Sequence, residues 1–264
     1  TTAALVSRLA SLGKRVVVAT PTHKARSQVE RALDNCGAHG FEAVTVARLL
    51  GLKQSRDKDT GEETFKPELG GKNMLNKESE WDDDAKEIVK IRRIDVVIVD
   101  ETSMLNSELY DLLLRELQGR PVVFVGDDRQ LLPVGEDQAC RAFTEGSSLY
   151  RLTEVLRHDG AILNLATATR QMPVGRARFA AAEGGGSRVV AYRSREQWGA
   201  ALLEMAASEQ AMIDPDFCRA LAHTNKAVDE MNLRIHQRRY GLNAPQFAEG
   251  MTCVTVDAIP DPIG

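Results

Sequence analysis

Aromatic residues make up only 5% of this chain, and its four cysteines, Cys36, Cys140, Cys218 and Cys253, lie far apart with no C-x-x-C pair. Scattered cysteine argues against a zinc ribbon and a disulfide scaffold, and it fits the reducing cytoplasm of a cell. No apolar run approaches the ~18 residues of a membrane span, so no membrane partner is expected. Positive charge is not in excess either: 34 Lys+Arg against 38 Asp+Glu give a formal net charge of -4. That excludes a generic polycation coating nucleic acid, so any nucleic-acid site has to be a local patch. Internal repeats and low-complexity tracts are also missing. The sequence opens on Thr1 and a helix pattern, as a fragment or a trimmed chain would.

What is present is a globular composition, 43% hydrophobic and 27% charged over 264 residues, enough for one large domain or two modest ones. Ala4, Leu5, Leu9 and Leu12 recur at helical spacing, and Gly13 is the expected stop. Residues 15–20, 95–100 and 121–126 are short apolar runs rich in β-branched residues, and residues 22–33 between them read as a helix. The runs at 95–100 and 121–126 are continuous rather than alternating, as expected of central strands in a parallel sheet covered on both faces. Residues 51–93 interrupt this βαβ series. Turn chemistry at 57–63 predicts a hairpin over 56–66 with its tip near Thr60-Gly61, and six carboxylates against one lysine at 78–87 predict a solvated face or mobile loop. After a boundary near 144–150, the order expected is a glycine turn at 184–186, strand 188–192, helix 196–207, strand 217–222, helix 225–239 and strand 251–256.

The run Val97-Ile98-Val99 ends in Asp100-Glu101, which puts two carboxylates at the carboxyl edge of the sheet, where ligands of open α/β sheets bind. In P-loop NTPases the first such carboxylate holds Mg2+ and the second orients or deprotonates water. Taken alone, a strand that simply ends in a polar turn looks the same. The next strand is followed by Gly126-Asp127-Asp128-Arg129-Gln130-Leu131-Leu132-Pro133-Val134. A glutamine there can donate to a γ-phosphate and accept from the attacking water at once, which a carboxylate cannot do without repelling the phosphate.

These two segments resemble motifs II and III of superfamily 1 helicases, in the Dda/RecD-like group. Residues 18–25, with Thr20-Pro21-Thr22-His23-Lys24, look like motif Ia, and residues 45–51 like the following T-x-x-x-L-L-G element. Residues 152–157 are similar to motif IV, and 222–229 to an A-x-T-N-K-x-V-D element of the second domain. The resemblance runs through nearly the whole chain in the family's order. It implies an α/β fold of tandem RecA-like P-loop NTPase domains with parallel central sheets. Residues 1–148 would form the first, with the insertion at about 51–93, and 149–264 a second, incomplete one.

The same resemblance implies an ATP-dependent DNA helicase or translocase, 5′-to-3′ on single-stranded DNA, with ATP between the domains. Mg2+ falls to Asp100 and Thr1. Glu101 activates water, Gln130 senses the γ-phosphate, and Arg157 neutralises charge there. Thr1 and Thr2 fit the Ser/Thr positions that close a P-loop. By its residue type alone Arg157 is equally a surface arginine. Nucleic acid is expected at Thr20, Pro21, Thr22, His23, Lys24, Thr45, Phe65, Thr224 and Asn225, although Thr22 and Thr224 read equally well as ordinary N-caps. Dda-like helicases carry a strand-separating hairpin, and Phe65 would offer a ring to a base; a charged surface hairpin is the other reading. Partners are then single-stranded DNA, single/double-strand junctions and replication or repair proteins, in a bacterial or phage-infected cell.

Two departures qualify this. The Gly-Lys of the P-loop would precede Thr1, and motifs V and VI would follow Gly264. The 264 residues by themselves are therefore expected not to turn over ATP and to bind single-stranded DNA weakly, with strong salt dependence. A non-catalytic nucleic-acid or protein-binding module on the same fold is the competing class, and a P-loop ATPase without unwinding is the third.

Overall fold

The computed structural model describes residues 2–38, 41, 43–56, 63–67, 73–75, 80–82, 87–89, 94–133, 135–146, 148–156, 158–172, 181–214 and 216–251. The chain divides into two compact units, Thr1–Thr153 and Glu154–Gly264. Among the described residues no helix is long and apolar enough to cross a membrane.

The first unit is built on helix α1 (Thr2–Ser11), strand β1 (Val16–Thr20), helix α2 (His23–Asn35), strand β2 (Ala43–Thr45) and a short helix α3 (Val46–Leu49). An antiparallel hairpin follows, β3 (Leu52–Arg56) with β4 (Glu63–Pro67), in a register from Leu52 opposite Pro67 to Arg56 opposite Glu63. The expected hairpin is therefore present; its tip at Thr60-Gly61 lies outside the described residues. The acidic segment differs from expectation. Strands β5 (Glu80–Asp82) and β6 (Glu87–Val89) form an antiparallel pair with Trp81 opposite Ile88. Aromatic and β-branched residues favour the extended backbone, and here they outweigh the charge run.

The chain then returns to the main sheet with β7 (Val96–Val99), a single 3-10 turn (Thr102–Met104), helix α4 (Ser107–Leu117), strand β8 (Val122–Phe124) and helix α5 (Ala142–Glu145). The four-stranded sheet has the order β2-β1-β7-β8, with every pairing parallel. It is the parallel α/β sheet of a RecA-like P-loop domain. Side-chain alternation sorts the core into two layers. Val18 and Ile98 join Ala3, Val6, Val29 and Leu33 on the face covered by α1 and α2. Val17, Ala19, Val97 and Val99 join Val46, Leu49, Leu109 and Leu113 on the face covered by α3 and α4. Strand β7 is buried along its whole length, as a two-sided apolar run requires. Strand β8 is not central as expected. Among the described residues it lies at the end of the sheet, paired with β7 alone, and Val123 is 36% exposed.

The second unit contains helix α6 (Gly160–Gln171), a hairpin of β9 (Ala182–Gly184) and β10 (Ser187–Val189), and helices α7 (Arg195–Ala206), α8 (Glu209–Ile213) and α9 (Asn225–Tyr240). Gly185 and Gly186, with φ of 59° and 76°, form the two-residue hairpin turn, where a side chain would be strained at both positions. Ser187 ties the hairpin to the start of α6, its Oγ donating to the Asp159 carbonyl at 3.1 Å. The segment 217–222, expected as a strand, has no ladder partner among the described residues, and without one an apolar run does not become a strand. Arg239 reaches from α9 to the ends of the other helices, donating through Nε to the Ala206 carbonyl (2.6 Å) and through Nη2 to that of Ala211 (3.2 Å).

Candidate functional site

Strand β7 delivers Asp100 to the carboxyl edge of the sheet, and the Asp100 amide donates to the Ala19 carbonyl at 2.9 Å, extending the β1–β7 ladder by one residue. The Asp100 Oδ1 accepts from the Glu101 amide at 2.9 Å. Glu101 itself stands at φ 54°, ψ 40°, in the left-handed region, which costs an L residue about 1–2 kcal/mol. Non-glycine residues are held there only when the surroundings over-determine the backbone, and such strain concentrates at functional sites. The restraint is Thr102. It is fully buried, its Oγ1 donates to the Val99 carbonyl (3.0 Å) and its amide to the Val125 carbonyl (3.0 Å). One residue thus ties the turn after β7 to the ends of both strands, and Glu101 is fixed between Asp100 and this anchor.

The end of β8 is shaped to match. The Val125 amide donates to the Val99 carbonyl at 2.7 Å. At Gly126 a Cβ would lie 3.0 Å from the Thr102 nitrogen and 3.1 Å from the Phe143 ring, so only glycine lets the two turns approach this closely. Asp127 then closes a tight turn. Its Oδ1 accepts from the Arg129 amide (3.0 Å) and its carbonyl from the Gln130 amide (3.1 Å), leaving the Gln130 side chain exposed. The structure therefore brings Asp100, Glu101 and the Gln130 turn to the ends of two neighbouring strands. Thr2 opens α1, which a four-residue connection joins to β1. Thr1 and Arg157 lie outside the described residues.

Two links here were not legible in the sequence. The Glu136 carboxylate, beyond the β8 turn, accepts from the Ser107 amide (2.6 Å) and hydroxyl (3.1 Å) at the first turn of α4. Twenty-nine residues separate the two, and no local pattern marks the pair. Tyr110 of α4 receives the Arg141 guanidinium over its ring at 4.9 Å and donates to Glu145 at 3.3 Å; burial pushes its hydroxyl pKa up. Arg141 also pairs with Asp111, so α5 is clamped onto α4.

The expected nucleic-acid residues separate into two groups. Thr22 and Thr224 are N-caps, accepting from the Ala25 and Ala227 amides at 3.2 Å each, with His23 and Lys24 exposed on the first turn of α2 and Asn225 exposed on that of α9. Thr20, Pro21, Thr45 and Phe65 form the second group, with all four side chains buried. The Thr20 hydroxyl donates to the Thr22 carbonyl at 3.0 Å, and Thr45, paired with Thr20 across the β1–β2 ladder, spends its hydroxyl accepting from the Arg48 amide at 3.1 Å. Phe65 is 9% exposed and belongs to the core layer with Leu49 and Leu75.

Among the described residues no group of three His, Cys, Asp or Glu is placed to hold an ion through protein ligands alone. A Mg2+–nucleotide does not need one. Mg2+ keeps its waters and phosphate oxygens and takes one or two protein oxygens, which Asp100, half-buried at the sheet edge, fits.

Comparison with known proteins agrees with this geometry. A domain family described as an AAA domain matches residues 1–190. The uncharacterized protein R530 of Acanthamoeba polyphaga mimivirus is 30% identical over 132 residues, covering 47% of this chain and 24% of that protein. The ATP-dependent DNA helicase dda of Enterobacteria phage T4 is 27% identical over 164 residues, covering 60% of this chain and 31% of the helicase. The aligned parts span only 24% and 31% of these two relatives. With the family match extending over most of its length, the chain belongs to this AAA-domain family.

Proposed function

We propose that the full-length protein is an ATP-driven helicase or translocase on single-stranded DNA, of the Dda/RecD-like kind, with the 5′-to-3′ polarity which that resemblance implies. The observation that carries this reading is the pair of strand ends: Asp100-Glu101 after β7 and the Gly126–Gln130 turn after β8, fastened together by the Thr102 amide on the Val125 carbonyl. Asp100 and the Thr1 hydroxyl would hold Mg2+, which with ATP would supply charge neutralisation at the phosphoryl group. Glu101 accepts the proton of the attacking water. Its backbone is already fixed in the unusual left-handed conformation, which holds the Cα from which the carboxylate projects. Gln130, carried on a turn closed by Asp127, donates its amide to the γ-phosphate and accepts from the water. Arg157 supplies the positive charge that stabilises the developing phosphate charge. His23 and Lys24 beside the Thr22 cap, with Thr224 and Asn225 in the second unit, form the single-strand grips. Closing on ATP and reopening after hydrolysis shift one grip relative to the other.

DNA-stimulated ATP turnover of the full-length protein tests this directly, alongside Glu101→Gln. The amide keeps shape and hydrogen bonding but removes the base, so turnover falls by about 100-fold or more while nucleotide binding persists. Turnover within about threefold of wild type removes Glu101 from the role. A wild-type protein with no turnover in the presence of single-stranded DNA points instead to a non-catalytic module.

A further inference from the structure

The second unit contains a cleft of about 280 Å³ between α7 and α9, lined among others by Arg195, Trp198, His223, Glu230 and Arg234. Its walls follow from helix geometry. Arg195 and Trp198 are three residues apart on the first turn of α7, where Ser194 caps the helix by accepting from the Gln197 amide at 3.1 Å. Glu230 and Arg234 are four apart on α9, on the side facing α7. The Arg234 guanidinium lies over the buried Gly199 next to Trp198, where a Cβ would stand 3.7 Å from it, in ordinary contact. Neither Arg195 nor Arg234 has a hydrogen bond or ion pair among the described residues. Trp198, a packing residue by its sequence pattern, is 36% exposed and opens onto the cleft. An accessible indole beside two uncommitted guanidinium groups is the combination that binds single strands: bases stack on the ring and arginine takes the phosphate. Glu230 adds an acceptor suited to an exocyclic amine, and its negative charge disfavours a polyphosphate at that wall.

We propose that this cleft is a subsite for one nucleotide of a single strand, the base stacked on Trp198 and its phosphate held by Arg195 and Arg234. This rests on the single-stranded-DNA reading above, and it adds residues to the second-unit grip at Thr224 and Asn225. The chain has two tryptophans, so in a Trp81→Phe background Trp198 alone reports tryptophan fluorescence.

The test titrates that 264-residue protein with a short oligodeoxythymidylate, and separately with thymidine monophosphate. Expected is quenching of Trp198 by the oligonucleotide at concentrations where the mononucleotide has little effect. In labelled-oligonucleotide binding, Trp198→Ala then weakens affinity by about 5- to 150-fold and Trp198→Phe restores most of it. Arg195→Gln and Arg234→Gln each flatten the salt dependence of log K by about 0.7. If the oligonucleotide binds, and Lys24→Gln weakens it, yet Trp198 is not quenched and Trp198→Ala binds like wild type, the cleft is wrong and the DNA reading stands. Equal quenching by the mononucleotide makes this a free-nucleotide site and overturns the proposal. No oligonucleotide binding at low salt overturns both.

Discussion

Gly126 sits so close to Thr102 that a Cβ on it would lie 3.0 Å from the Thr102 amide nitrogen. That amide is the one bonded to the Val125 carbonyl, so the closest point between the β7 and β8 turns is also the bond that fixes Glu101. Gly126→Ala therefore has to push the two turns apart. Overpacking of this kind costs about 1–3 kcal/mol. Urea unfolding of the 264-residue chain should show a loss in that range, and an unchanged midpoint would mean that the approach is not as tight as it stands.

Where β1 and β7 begin, Arg15 holds Asp95 through Nε (2.9 Å), Nη2 (2.7 Å) and its own amide (2.9 Å). The Arg15 side chain first, and then its amide, hold the Asp95 carboxyl well below the usual carboxylate range. A carboxylate depressed in the folded state stabilises above the pKa of the unfolded chain, ~3.9, and that stabilisation is lost as pH falls toward the folded value. Asp95→Asn should consequently lower stability at pH 7, with the gap to wild type narrowing from about pH 4 downward. Chemical denaturation of both proteins at several pH values reads this out; a gap that widens in acid contradicts it.

Glu136 occupies the first turn of α4 as a borrowed cap, on top of Asn106, whose Oδ1 accepts from the Leu109 amide at 2.9 Å. Removing a cap and the favourable charge at a helix start costs about 1 kcal/mol. Glu136→Ala should lose that amount, and Ser107→Ala combined with it should lose less than the sum of the two single changes, since both remove the same contact. Full additivity in a double-mutant cycle would show the pair to be uncoupled.

Thiol labelling separates the cysteines. Cys36 is exposed, whereas Cys140 is 3% exposed and burial pushes its thiol pKa up. Since the thiolate is the reactive form, Cys36 should label rapidly in the folded chain and Cys140 only on unfolding. Mass spectrometry of the labelled peptides identifies each, and early modification of Cys140 would contradict its placement.

The hairpin of β3 and β4 is seated by Phe65 in the core, so its strands are structural and any action on DNA falls to residues 57–62. Replacing those residues with a short glycine linker in the full-length protein should lower duplex unwinding while single-strand-stimulated ATPase survives. Survival of both makes the hairpin an ornament of the fold.

The main elements of the first unit were legible because their signals are local. Val96–Val99 and Val16–Thr20 announce buried strands through unbroken β-branched runs, and Thr22 announces α2 through its hydroxyl at the cap position. Strand β2 was invisible as a strand, since three residues carry no period, and β5–β6 was hidden under a charge run. The same locality says nothing of the surroundings of Thr20 and Thr45: they have the hydroxyls of phosphate ligands, and the β1–β2 ladder places them side by side inside the protein.

Sequence alone determined which residues end the strands, because a buried apolar run has to stop at Asp100-Glu101 and at Gly126, and each run fixes its own end. It could not determine which strands are neighbours. The order β2-β1-β7-β8 is a tertiary outcome, and it brings Asp100 and Gln130 to adjacent ends, exposes the edge of β8 and turns Phe65 inward. The left-handed Glu101 belongs to the same class. Nothing in Asp-Glu-Thr asks for it; Thr102 holds it by bonding back to the Val99 carbonyl and across to the Val125 carbonyl, and the second, long-range bond exists only once the sheet has formed.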